Sequence, residues 1–296
     1  MSVEFRPDLL PTIRKLEIHA KRDVLSTSLA GSWISKIRGH GIEFAGYRQY
    51  TSGDDASQID WKASVRSRKL LVKELEEEKS LNIMLLIDVS DTMLFGTTEK
   101  LKAEYVAELT SSLTFASLRG GENVGMILFS DRIRKHVPLS QGIPHHAVLM
   151  RVLSDIKNYG GPKNFVHTAT QVLGYLQFRA LVVLISDFVG FDSTWERSLK
   201  IIAQKHELIA VMVRDRRDRS LPENGEYALS DPSTGERIVV DAADYAKPYA
   251  EYVRQEEQHL ASVIRRSGAD ILMLETTDNY SNALTKFLVL HNRRME

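Results

Sequence analysis

The side chains with the clearest chemical potential lie in two short runs. Leu86-Ile87-Asp88-Val89-Ser90-Asp91-Thr92 follows one apolar stretch, and Leu184-Ile185-Ser186-Asp187-Phe188 ends another. Asp88, Ser90 and Thr92 stand at alternate positions on one tight loop, so they can aim at a common point. A carboxylate with two hydroxyls is a hard oxygen set, suited to magnesium or manganese rather than zinc or copper. Asp187 can reach the same crevice from a second strand. A plainer reading is that these residues cap the next helix and close the turn.

The elements that must position these residues alternate along the chain. From Leu81 onward, apolar runs predict strands at Asn82–Asp88, Val124–Phe129, Ala180–Ser186, Leu208–Val213 and Asp270–Leu274. Helical periodicity predicts helices at Glu99–Leu118, Pro144–Lys157, Val166–Leu176, Ser193–Lys205, Tyr245–Arg266 and Tyr280–His291. Arg132–Leu139 can pair with the second strand as a hairpin partner. Asp215–Asp241 interrupts the alternation and reads as an inserted β-hairpin near a sheet edge. The fold class expected is therefore α/β: a doubly wound, mostly parallel sheet with helices on both faces, spanning residues 81–296. Such sheets bind ligands at the carboxyl ends of strands where strand order reverses. Residues 1–80 read as an N-terminal extension packed on this domain, with a helix at Ile13–Ser28, a strand at Lys69–Lys73 and a charged connector at Glu74–Lys79.

Composition narrows the function classes. The chain has 296 residues, 43% hydrophobic and 26% charged, an ordinary globular balance. Its 39 basic and 39 acidic residues give zero formal charge, which argues against nucleic acid as the main partner. With no cysteine, thiolate metal sites, disulfides and cysteine nucleophiles are excluded. No apolar run approaches the roughly 20 residues that a membrane helix needs, and no secretory leader is legible. A cytoplasmic location is expected.

The pattern Asp88-x-Ser90-x-Thr92 with Ser186-Asp187 resembles the metal-ion-dependent adhesion site of von Willebrand factor A domains. In that family these residues and a threonine from a second loop hold a divalent ion that a partner's acidic side chain completes. The second loop here reads Gly160-Gly161-Pro162-Lys163-Asn164-Phe165. Lys163 stands where the threonine would be, and lysine has no acceptor with which to ligate a cation. Its ammonium can take the place of the metal charge, so the resemblance implies at most a degenerate magnesium site. Thr168 is the alternative hydroxyl ligand if the loop follows another path.

Upstream, Gly41-Ile42-Glu43-Phe44-Ala45-Gly46-Tyr47-Arg48-Gln49-Tyr50, Gly53-Asp54-Asp55, Ile59-Asp60-Trp61-Lys62-Ala63-Ser64 and Leu71-Val72-Lys73 resemble the signature of the MoxR-associated family of unknown function numbered 58. Arg214-Asp215, Pro222 and Asp231-Pro232-Ser233-Thr234-Gly235-Glu236 fit it as well. Ser57 departs from it, standing where the family often has arginine. Six charges interleaved with four aromatics can pair locally and dock on a sheet edge, or form a recognition surface. The resemblance implies a non-enzymatic, chaperone-like adaptor that works with a MoxR-type AAA+ ATPase in assembly or maturation of a client protein. A metal-dependent hydrolase at the same crevice is the competing reading. A phosphatase of the haloacid dehalogenase type is disfavoured, because Ser90 occupies the position of its second aspartate. His145, His146 and His167 lack metal-ligand spacing.

Overall fold

The computed structural model describes residues 42–51, 54–77, 80–98, 100–191, 194–230, 236–284 and 287. The helix expected at Ile13–Ser28 and the turn at residues 231–235 lie outside them.

Two strands open the described chain, β1 (Ile42–Gln49) and β2 (Leu71–Glu77), paired antiparallel around a short helix, α1 (Trp61–Ser67). The expected strand thus runs on into the acidic stretch that had read as a connector, because β1 gives every residue of Leu71–Glu77 a partner. The signature's charges pair locally. Arg48 makes a bidentate bridge to Asp54 at 2.6 and 2.7 Å. Asp60 caps α1 by accepting from the amides of Lys62 and Ala63, and it also accepts from the Tyr47 hydroxyl. Trp61, by contrast, is 64% exposed rather than docked.

The body is one sheet. Its strands are β3 (Asn82–Asp88), β4 (Asn123–Phe129), β5 (Ile133–Ser140), β6 (Leu181–Ser186), β7 (Glu207–Arg214) and, last in the chain, β10 (Asp270–Glu275), in spatial order β10-β7-β6-β3-β4-β5. All neighbours are parallel except β4 and β5. The fold class read from strand–helix alternation is the one found. β3, β4, β6 and β7 are buried almost throughout, which is why they read as continuous apolar runs rather than alternating ones. Each fully buried Leu, Ile or Val there contributes about 1.5–3 kcal/mol relative to exposure. β5 ends one side of the sheet, and its charges and Pro138 suit an edge position.

Helices α2 (Lys102–Arg119), α3 (Ile143–Leu153), α4 (Phe165–Tyr175), α5 (Trp195–Lys205), the one-turn α6 (Arg216–Arg219) and α7 (Ala242–Arg266) connect the strands. Two apolar cores result. One is built on Leu85, Ile87, Leu109, Leu128 and Ile185, and the other on Leu86, Ile127, Phe165, Leu184 and Met212. Alternate residues of one strand serve opposite cores, the two-residue period of a sheet covered on both faces. The inserted segment forms β8 (Glu226–Ser230) and β9 (Arg237–Asp241), an antiparallel pair that is its own two-stranded sheet and adds no strand to the large one.

After β3 the chain adds β4 and β5 on one side, then crosses to place β6 on the other. Strand order therefore reverses between β3 and β6, and both strands end in the acidic runs singled out above.

Candidate functional site

Asp88 is the last residue of β3 and Asp187 follows the last residue of β6. Both are fully buried. The Asp88 carboxylate accepts from the Ser90 amide on Oδ1 (3.0 Å) and from the Ser186 hydroxyl on Oδ2 (2.6 Å). Ser90 and Thr92 share a hydrogen bond between their hydroxyls at 3.2 Å. Ser90 precedes a 3-10 turn, Asp91–Leu94, without capping it through its side chain. The capping explanation for this loop therefore leaves the hydroxyls unaccounted for.

The glycine loop is stitched onto the Asp88 loop. Gly160 donates to the Val89 carbonyl at 2.7 Å, Asp91 donates to the Gly161 carbonyl at 3.0 Å, and the Gly161 amide donates to Asp91 Oδ1 at 2.8 Å. Both glycines have positive φ, +100° and +88°, where a side chain would be strained. This turn delivers Lys163 into the crevice. Lys163 Nζ lies 2.7 Å from Asp88 Oδ2 and 2.5 Å from Asp187 Oδ1, and its side chain is 4% exposed. Asn164 then caps α4 by accepting from the His167 amide. Thr168 is not part of the cluster, since its hydroxyl donates to the Asn164 carbonyl within its own helix.

A second lysine completes the site. Lys102, at the start of α2, donates to the other Asp187 oxygen at 2.8 Å and to Asp218 Oδ2 at 2.7 Å. Arg214 donates from Nε to the main-chain carbonyl of Asp187 and from Nη1 to Glu256. Asp215 accepts from the amide and hydroxyl of Thr97, tying the loop before α2 to the end of β7. The strand-end runs drew attention to Asp88, Ser90, Thr92 and Asp187, but Lys102, Thr97, Arg214 and Asp218 were not read as site residues. The one available signal was Lys102 itself, which sits three and four residues before Tyr105 and Val106 on the helix face that enters the core.

Electrostatics follow from these contacts. Burial alone pulls the Lys163 ammonium toward its neutral form, but Asp187 and Asp88 outweigh it and hold its pKa above the usual lysine value. Burial pushes Asp187 up, but Lys163 and Lys102 dominate and hold it well below the usual carboxylate range. Each ammonium also faces an aromatic ring. Lys163 lies 5.3 Å from the centroid of Phe191, and Lys102 lies 5.5 Å from that of Phe95. Past Asp187 the chain turns through Phe188 at φ +57°, an unusual value for a bulky residue. Its ring is held in contact with Phe191 and Trp195.

Magnesium, the ion associated with this loop pattern, does not fit the residues as they stand. An ammonium bridges the two carboxylates that would receive the ion, and Asp187 also carries Lys102. Among the described residues, no group of three or more His, Asp or Glu side chains is arranged to hold a metal.

A six-stranded, mostly parallel sheet with Asp-x-Ser-x-Thr at its switch point defines a von Willebrand factor A-like domain. The family model described as "Protein of unknown function DUF58" matches residues 46–261, and the chain belongs to that family. An uncharacterized protein of Mycobacterium tuberculosis is 28% identical over 294 residues, covering 97% of this chain and 91% of its own length. Among solved structures, an aerotolerance-related membrane protein from Bacteroides fragilis aligns with a TM-score of 0.48 at 16% identity, over 73% of this chain and 100% of its own. A von Willebrand factor type A protein from Catenulispora acidiphila aligns with a TM-score of 0.40 at 9% identity, over 76% of this chain and 44% of its own. No helix among the described residues is long and apolar enough to cross a membrane.

Proposed function

We propose that this chain is a protein-binding adaptor, that it docks a partner over the crevice between β3 and β6, and that it performs no turnover of its own. One observation carries the reading: every oxygen of Asp88 and Asp187 already has a donor. Asp88 accepts from Ser90, Ser186 and Lys163, and Asp187 accepts from Lys163, Val189 and Lys102. A general base must take a proton from a substrate, and for either buried carboxylate that would mean giving up these contacts, which weighs against the hydrolase reading.

The ammonium of Lys163 takes the structural part of the adhesion-site ion, holding the two strand-end loops together. What is left for a partner is the rim, where Phe95 is 39% exposed and Thr92 and Phe191 are partly so. The family signature points to a MoxR-type AAA+ ATPase as that partner, with assembly or maturation of a client as the joint task. The exposed Trp61 and Val65, four residues apart on α1, are a second contact surface for the same assembly. The test is an equilibrium titration of the chain against such an ATPase, with and without nucleotide. Association weakened at least tenfold by Asp88→Ala supports the proposal. A complex indifferent to Asp88, or hydrolysis of phosphate or ester substrates that Asp88→Ala abolishes, would replace it with another.

A further inference from the structure

The β8–β9 pair presents an unresolved physical problem. It is a two-stranded sheet of five-residue strands, separate from the large sheet, with residues exposed on both faces. Such ribbons are marginal in water unless something adds to them. Ile238 is 60% exposed and Val239 70%, and as neighbours on one strand they point to opposite faces. No single surface laid against one face can cover both. A strand added at the edge covers both at once, because side chains on either face gain a cross-strand neighbour.

The sequence of β9 names the strand that fits. It reads Arg237-Ile238-Val239-Val240-Asp241. Paired antiparallel with itself about Val239, it sets Arg237 opposite Asp241 of the copy, Ile238 opposite Val240, and Val239 opposite Val239. Both ends then carry an opposite-charge pair and all three central pairs are apolar. Shifting this symmetric pairing by one residue to either side leaves Arg237 facing an apolar residue or no residue at all. Within the hairpin, moreover, Asp241 stands opposite Glu226, a like-charge pair that an arginine brought to its other side relieves. The Asp241 side chain caps α7 by accepting from the Ala243 amide on Oδ1.

We propose that β9 is a self-association edge: two copies of this chain join β9 to β9 in an antiparallel, two-fold arrangement and form a four-stranded ribbon. The occupant is thus a second copy of the chain. The inference does not depend on what the strand-end crevice binds.

The chain has no cysteine, which makes the test direct. Val239→Cys introduces a single thiol facing its own copy, and paired antiparallel residues lie about 4.5–5.5 Å apart between Cα atoms, within disulfide range. Under mild oxidation Val239→Cys should convert to a covalent dimer at least tenfold faster than Ala228→Cys, which faces the same side from the other strand. Sedimentation of the unmodified full chain should show a concentration-dependent dimer that Arg237→Glu weakens. Adding Asp241→Asn, which retains a capping side chain, should recover part of the loss. Faster linking through Ala228→Cys would move the interface to β8 and overturn the proposal. So would a strict monomer at high micromolar concentration, a result that would leave the ribbon for an unrelated partner strand.

Discussion

Replacing Lys163 with threonine removes the positive charge from between two buried carboxylates. At 2.7 Å and an effective dielectric of about 20, each contact is worth on the order of 6 kcal/mol before desolvation is subtracted. Desolvation cancels much of that gain, but the substitution leaves the acids buried with one partner fewer. Breaking a buried pair in this way costs about 3–5 kcal/mol. For a domain of this size that corresponds to roughly 10 °C in Tm. The variant also acquires the hydroxyl that the adhesion-site pattern calls for. Magnesium should therefore recover part of the loss, about 1.4 kcal/mol at an ion concentration ten times its Kd. Lys102 still occupies one oxygen of Asp187, so recovery should be larger when Lys102→Met is added to Lys163→Thr. The assay is thermal unfolding with 0 and 10 mM magnesium. The wild type should be indifferent to the ion. A Lys163→Thr variant as stable as wild type, or a wild type that magnesium stabilises, would refute the view that lysine takes the place of the ion.

Lys102→Met alone should cost about 3 kcal/mol, since Asp187 and Asp218 both lose a buried cation; chemical denaturation checks this, and a loss under 1 kcal/mol would show the pair to be dispensable. The contributions of Asp187 and Lys163 to stability should be constant from about pH 5 to 10, while His136 and His206, whose pKa values burial lowers, should cost stability as pH falls below about 6.5. The lowered pKa of Asp187 gives stability that is present above the unfolded value of about 3.9 and lost as pH falls below it. The raised pKa of Lys163 gives stability that is lost only as pH rises past the unfolded value of about 10.4. Asp187→Asn should shrink the acid limb of a stability–pH curve, and an unchanged limb would assign it to other groups. Residues 42–77 should behave as part of the main domain under limited proteolysis, because a two-stranded ribbon with one short helix cannot bury an adequate core; release of a stable folded fragment ending near Glu78 would contradict this.

Much of the fold was legible because buried parallel strands leave uninterrupted apolar runs, and Asn82–Asp88 was located to the residue. Helix ends were less legible. Glu99–Leu118 became Lys102–Arg119 because Phe95 and Leu101 main-chain atoms organise the entry to α2, and the expected Pro144–Lys157 helix stops at Leu153 before a separate 3-10 turn at Ile156–Asn158. The strand–hydroxyl–acid spacing revealed the Asp88 side of the site because its members are local in sequence. Lys102, Thr97, Arg214 and Asp218 were hidden because their meaning arises only when the sheet brings β6, β7 and α2 together. In the sequence, Arg214-Asp215 stands out only as part of a signature. It proves to anchor the Asp187 turn and the loop before α2.

Hydrogen exchange of the chain, free and mixed with a MoxR-type AAA+ ATPase, tests the proposed adaptor role most directly. The adaptor account predicts slowed exchange in residues 88–95, 160–164 and 187–191, the loops that frame the crevice, and loss of that protection in Asp88→Ala. Protection confined to other surfaces, with these loops exchanging as in the free chain, would contradict it.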